Sequence, residues 1–335
     1  MFFTTLIPVY KTQFLEDLIA CLNAQTCKEF QVIFSDDSPT QDAAQILQEL
    51  TEESNLSFHY RIVSGPRLGP ASNCHHLLTE WAHSTPYIHY LLDDDLISPD
   101  FYAQHKQAHG STLAPPLVIS ARNIVNERKQ IQKDAPLPIG IKAGGAAMPI
   151  SFAACIAATL PNCDNWLGEL SCATMQGDFI AQHIQGQLAR LPYYGLNDLG
   201  LFLEILHHAT GAFIPQTLGS FRINRWQCSR DVHSDVFRKS NIAWLALALD
   251  AYHLGVLTEE QTRECLAHVS QAINKLLPAN PNLATTLNAL TRKDSLAQLY
   301  QRFQTLWLHE LQQSPDYRHA TSPVLQGQIA LAPFL

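Results

Sequence analysis

Four short apolar runs alternate with stretches of helical periodicity across the first hundred residues, and this rhythm admits few folds. FFTTLIPVY is dense in β-branched and aromatic residues and predicts a strand. Phe14, Leu15, Leu18, Ile19 and Leu22 then recur at the spacing of one helix face. FQVIFS predicts a second strand, ending at Asp36 and Asp37. Ala43, Ala44, Leu47 and Leu50 mark one face of a helix over 40–50. LSFHYRIVS alternates as a third strand. Gly69-Pro70 then breaks the chain, with Pro70 suited to the first turn of a helix reaching Trp81. YIHYLL is the fourth strand. Apolar strands separated by helices imply an α/β fold, with a mostly parallel sheet flanked by helices.

Farther along, LVISARNIV at 117–125 predicts a strand and ERKQIQKDAPLP a loop or hairpin tip. Residues 140–165 are rich in Gly, Ala and Pro and predict no element. Asn197-Asp198 opens the helical run LGLFLEILHHA, and GAFIPQTLGSFRI reads as one or two strands. From about Val236 the pattern becomes helical throughout, ending in a Pro-containing tail, LAPFL. The expected organisation is an α/β domain over 1–235, in two halves of 1–115 and 116–235, and a helical C-terminal section over 236–335.

Composition narrows the function classes. The formal net charge is -8 and no long Lys/Arg block occurs, which argues against a nucleic-acid surface. None of the 8 cysteines forms a CxxC pair, so a zinc cluster has no support. MFFTTLIPVY lacks the marks of a signal peptide, and no run reaches the roughly 18 apolar residues of a transmembrane helix. The expectation is a soluble protein of a reducing cytoplasm.

Chemistry gathers where strands end, because an open parallel sheet binds ligands beyond its carboxyl edge. The first strand delivers Pro8, Val9 and Tyr10, the second Asp36 and Asp37, the fourth Asp93, Asp94 and Asp95. Pro8 has a plain reading as a strand terminator, and Asp36-Asp37-Ser38-Pro39 as a turn and helix cap. Three consecutive carboxylates are different, since a turn needs one such side chain. A hard divalent cation taking oxygen ligands, Mn²⁺ or Mg²⁺, would supply the missing positive charge. The pairs His75-His76 and His207-His208 read as ordinary helix residues, because neighbours on a helix point in different directions.

IPVYK, QTCKEFQVIFSDDSPT, GPRLGPASN and YIHYLLDDDLISPDF together resemble, in order and spacing, the nucleotide-sugar half of family-2 glycosyltransferases with the Rossmann-like GT-A fold. The resemblance implies that Pro8, Val9 and Tyr10 line the nucleoside pocket. Asp37 would accept a hydrogen bond from the base, with Asp36 a lesser contributor. Arg67 would lie near the nucleotide, although it reads equally well as a solvated loop residue. Gly69 and Asn73 would border the sugar pocket. Asp93 and Asp95 would be the DxD carboxylates near ribose and metal, with Asp94 sharing their work. GLNDLGLFLEILHHATGAFIPQTLGSFRINRWQCS resembles the acceptor segment. There Asp198 falls at the general-base position of inverting members and competes with a reading as a helix start. The chain departs from the family at Asn197, often Glu, and at Asn224, often a His that contacts metal or diphosphate. Arg222 and Arg225 lie near enough in sequence to meet phosphate.

The implied activity is metal-dependent, inverting transfer of a sugar from a nucleoside-diphosphate donor, expected to be a UDP-sugar. The acceptor is a hydroxyl on a glycan or lipid-linked molecule, in surface polysaccharide or glycan synthesis. A non-catalytic nucleotide-sugar-binding or scaffold protein is the alternative. A sugar nucleotidyltransferase ranks lower, because MFFTTLIPVYK has no glycine-rich phosphate loop. The C-terminal stripes, such as Leu245, Leu249 and Tyr252, suit packing on the catalytic domain or a second subunit forming a homo-oligomer. A peripheral position at the inner face of a membrane is less favoured, for want of basic polar faces.

Overall fold

The computed structural model describes residues 1–40, 42–225, 227, 234–276, 295–315 and 317. Its first third follows the expected rhythm: β1 (Phe3–Val9), α1 (Leu15–Asn23), β2 (Phe30–Asp36), α2 (Ala43–Glu53), β3 (His59–Ser64), α3 (Pro70–Trp81) and β4 (Tyr87–Tyr90). Gly69 precedes α3 with a φ of 107°, a conformation open to glycine, and Pro70 takes the first helical turn, where its missing N–H costs nothing.

The chain continues through β5 (Leu96–Ile97), α4 (Phe101–His109), β6 (Leu117–Val125), β7 (Ile131–Asp134), β8 (Met148–Ile150), α5 (Phe152–Thr159), a 3-10 turn at Leu170–Cys172, β9 (Ala173–Gln176) and α6 (Gly177–His183). Then come α7 (Asn197–His208), β10 (Gly211–Arg222), α8 (Asp235–His253), α9 (Glu259–Leu276) and α10 (Leu296–Gln312). The hairpin tip expected after β6 is present, with β7 returning antiparallel to it. The segment without a sequence assignment holds β8 and α5. The tail ending LAPFL lies outside the described residues.

The strand order is β3-β2-β1-β4-β9-β6-β10-β5, with β7 and β8 added at β6 and β10. β3, β2, β1 and β4 are parallel, as are β6 and β10, while β9 runs antiparallel between β4 and β6. The chain leaves β1 on one side for β2 and β3, then returns to its other side for β4. The β1/β4 boundary is therefore a topological switch point, where the two following connections diverge and leave a crevice. β10 is a single strand whose register shifts just past Pro215, a residue with no N–H to give the ladder.

Two apolar clusters fill the two faces of the sheet. One holds Phe3, Ile7, Val32 and Phe34 with Leu15 and Leu18 of α1 and Phe101 of α4. The other joins Leu6 and Ile88 to Phe202 of α7, Leu245 and Leu249 of α8, Val269 of α9 and Phe303 and Trp307 of α10. Each such side chain, fully buried, contributes about 1.5–3 kcal/mol. The C-terminal helices thus share the main core. α8 begins at Ser234, whose hydroxyl accepts from Phe237 N at 3.0 Å, and α10 opens with a capping box between Ser295 and Gln298. Polar ties reinforce the packing. Asp250 of α8 accepts the N–H groups of Ala189, Arg190 and Leu191 at 2.8–3.0 Å and the Tyr300 hydroxyl at 2.6 Å. The Trp307 indole donates to Pro192 O at 2.6 Å. No described helix is long and apolar enough to cross a membrane.

Candidate functional site

At the switch point the parallel register carries β1 and β4 out at the same edge. Tyr10 N and Lys11 N, just past β1, donate to one oxygen of Asp93 at 2.7 and 2.6 Å. The Lys11 ammonium pairs with Asp94 Oδ2 and lies 3.5 Å from Asp93 Oδ1. Asn224 donates its side-chain amide to the same Asp94 oxygen at 2.7 Å. Asp95 accepts from Arg222 N at 3.0 Å and from the Ser171 hydroxyl at 2.7 Å. Burial pushes Asp93 up to about 6, against the pull of Lys11, and raises Asp95 well above the usual carboxylate range. All three aspartates are buried. Buried charges persist only when paired and hydrogen-bonded, and these are.

Arg222 is a strut rather than a phosphate hand. Its side chain is fully buried, with Nε on Asp94 O, Nη1 on Glu127 O and Nη2 on Asp17, and its guanidinium lies over the Phe14 ring at 4.4 Å. The phosphate contact expected of Arg222 is not available to a side chain so enclosed. Arg225 is exposed and lines an open cleft of about 760 Å³ with Asn126, Glu127, Arg128, Gln130 and Asn224.

The β2 end divides its two carboxylates. Asp36 accepts from Ser38 N and Oγ at 2.9 and 2.6 Å and from Ala44 N at 2.9 Å, so it fastens the entry to α2. Asp37 receives Arg67 N at 2.5 Å, and its own N–H donates to Val9 O at 2.9 Å, joining it to the end of β1. Burial raises the Asp37 carboxyl above its ordinary value. Arg67 holds a left-handed φ of 58° with its side chain exposed. Gly65 was not legible as a site residue. A Cβ there would stand 2.6 Å from Asp37 Oδ1 and 2.9 Å from Asp36 O. Asn73 is buried against β2, accepting from Ser35 Oγ at 2.6 Å, and Val9 has its side chain in the core. Tyr10 is 57% exposed beside them.

The other half of the site enters through one short turn. Glu169 precedes the 3-10 turn, Leu170 N donates to Asp198 Oδ2 at 3.4 Å, and the next residue, Ser171, reaches Asp95. Asp198 sits in the first turn of α7, where burial and then the Glu169 carboxylate push it up to about 7. Glu169 is itself paired with Arg122 at 2.5 Å. Asp37, the Asp93–Asp95 run and Asp198 therefore form one chain of contacts along the edge, through Val9–Lys11 on one side and Leu170–Ser171 on the other.

The Mn²⁺ or Mg²⁺ expected at Asp93 and Asp95 does not fit this donor set as it stands. Lys11 occupies the space between Asp93 and Asp94, and both Asp95 oxygens accept protein donors. Among the described residues no group of three or more His, Cys, Asp or Glu side chains is arranged to hold a metal ion.

Comparisons with known proteins agree with this architecture. Residues 4–111 match the family model described as glycosyl transferase family 2. The structure is similar to that of Staphylococcus aureus TarS residues 1–349 in complex with UDP-GlcNAc, at TM-score 0.56 and 13% identity, over 98% of this chain and 84% of that one. The TarS 1–349 complex with UDP gives 0.51 and 14%, over 98% and 83%. A longer TarS structure gives 0.51 and 12%, over 96% of this chain and 54% of that one. At such identities the likeness is one of fold. No curated protein matches the sequence.

Proposed function

We propose that this chain, which carries a family 2 glycosyl transferase segment on a GT-A fold, transfers a sugar from a nucleoside diphosphate to a hydroxyl acceptor with inversion at the anomeric carbon. The observation that carries the reading is the turn in which Leu170 bonds Asp198 and Ser171 bonds Asp95. It holds a carboxylate suited to proton abstraction beside the strand end where the switch point opens. The division of labour follows the halves: 1–115 for the nucleotide, 116–235 for the acceptor, and 236–335 for the helical support.

Asp37, with Pro8 and Tyr10, receives the nucleoside. The acceptor oxygen attacks the anomeric carbon from the face opposite the diphosphate, forming the new C–O bond as the sugar–phosphate bond breaks. The electron pair leaves with the diphosphate, and Asp198 takes the acceptor proton. A carboxyl near 7 is matched to that task, since a base works best when its pKa lies near the operating pH. Desolvation of the edge strengthens every charge interaction in it. The TarS complexes with UDP-GlcNAc and UDP make UDP-sugars the donors to test first. A glycan or lipid-linked alcohol is the acceptor class.

The test is release of UDP from UDP-GlcNAc, UDP-glucose and UDP-galactose in the presence of alcohol acceptors, with nucleotide binding followed by thermal shift. Turnover with inversion supports the reading. Binding without turnover across acceptors favours the non-catalytic alternative, and retention of configuration removes Asp198 from the base role.

A further inference from the structure

The acidic strand end brings its own cation. Lys11 is fixed at its backbone, where its N–H donates to Asp93 at 2.6 Å, and its side chain turns back across the same run. The ammonium pairs with Asp94 Oδ2 and stands 3.5 Å from Asp93 Oδ1, the position a cation bridging those two carboxylates would take. The side chains of Asp93 and Asp94 are 6% and 5% exposed, whereas that of Lys11 is 20% exposed. Of these three side chains, that of Lys11 is the most accessible. Asn224 donates an amide N–H to the same Asp94 oxygen at 2.7 Å, so that oxygen carries two donors. An ammonium has three N–H donors; Asp94 Oδ2 takes one as a hydrogen bond, and Asp93 is held as an ion pair.

We propose that Lys11 is the diphosphate-binding cation of this site, occupying the place between Asp93 and Asp94 so that nucleotide binding proceeds without a divalent ion. The inference rests on the transferase reading and sharpens it: charge on the leaving diphosphate is met by a tethered side chain. A divalent ion and the ammonium compete for the same carboxylate oxygens, and like charges exclude each other there. The tethered group is already in place when nucleotide arrives, which spares the ordering of a separate ion.

The experiment is titration calorimetry of UDP, GDP and UMP into the full chain, in EDTA and with Mn²⁺, for wild type, Lys11→Met and Lys11→Arg. Wild type is expected to bind a nucleoside diphosphate in EDTA, with Mn²⁺ changing Kd by less than about threefold. Lys11→Met is expected to lose about tenfold or more for the diphosphate in EDTA and to regain part of it with Mn²⁺, which can then enter. Its effect on UMP is expected to be smaller, and Lys11→Arg is expected to keep metal-free binding. Wild-type binding that depends on Mn²⁺ overturns the proposal, whether or not Lys11→Met folds. So does a folded Lys11→Met that binds UDP or GDP in EDTA as wild type does. If no protein binds any of the three nucleotides in either condition, the transferase reading falls with it; metal-dependent binding by wild type removes the role of Lys11 alone.

Discussion

At Asp93 to Asp95 every carboxylate is met from inside the protein: two backbone amides and an ammonium on the first two, a hydroxyl and a backbone amide on the third. At Asp198 the approach is sparser, a long bond from Leu170 N at 3.4 Å with another carboxylate, Glu169, nearby. Both stretches are acidic and both lie at the same edge, and in the proposed function they do different work. A carboxylate surrounded by donors is held in place and has little freedom to exchange protons with a substrate. Burial raises Asp93 and Asp95 too, so what sets Asp198 apart is its sparser donors, which leave a carboxyl near 7 open to exchange a proton.

The largest test of this contrast is Asp198→Asn. Turnover is expected to fall about 10²–10⁴-fold while UDP affinity holds, and a loss of affinity instead would put Asp198 with the binding run. Wild-type turnover is expected to rise as pH climbs through about 7, where Asp198 loses its proton. The same shift has a stability sign. The folded state holds this proton more tightly than the unfolded one, so Asp198 costs stability as pH rises from about 3.8 to about 7, and Asp198→Asn removes that slope.

Next comes Arg222→Met. Removing one partner of a buried charge network is expected to cost about 3–5 kcal/mol in urea unfolding. A cost within the range of a surface residue would mean that the edge does not depend on the strut that ties Asp94 O, Glu127 O and Asp17 together. The smallest effect is Ser171→Ala, expected to cost about 1 kcal/mol through the lost bond to Asp95. Its sharper reading is kinetic, because loosening the turn that also carries Leu170 should lower turnover more than it lowers UDP affinity.

The elements from β1 to β4 were readable because each has a period of its own, and Gly69-Pro70 marks the α3 start to the residue. β9 was not readable. It is four residues, ATMQ, buried on both sides between strands distant in sequence, and its antiparallel course is set by those neighbours. Asp37, Asp93, Asp95 and Asp198 stood out as carboxylates at element ends. Lys11 and Ser171 did not, since a single lysine or serine has no local signature and their partners lie 83 and 76 residues away. Arg222 was visible as a charge near the site, but its burial depends on Asp17, Phe14 and Glu127, which meet only in the fold. Asp36 shows the limit of adjacency: its neighbour faces the site, while it secures a helix.

The carboxylate of Asp250, deep in the C-terminal helices, grips three successive amides of 189–191, and Trp307 holds Pro192. Five residues later the chain turns into α7 and presents Asp198. The helical section therefore works as a mounting bracket for α7: under the proposed reading, the angle at which Asp198 enters the crevice is set from behind by residues remote from the strand ends. If Asp198 is the base, substitutions in α8 and α10 are expected to alter acceptor use while the edge built on β1 and β4 stays as it is.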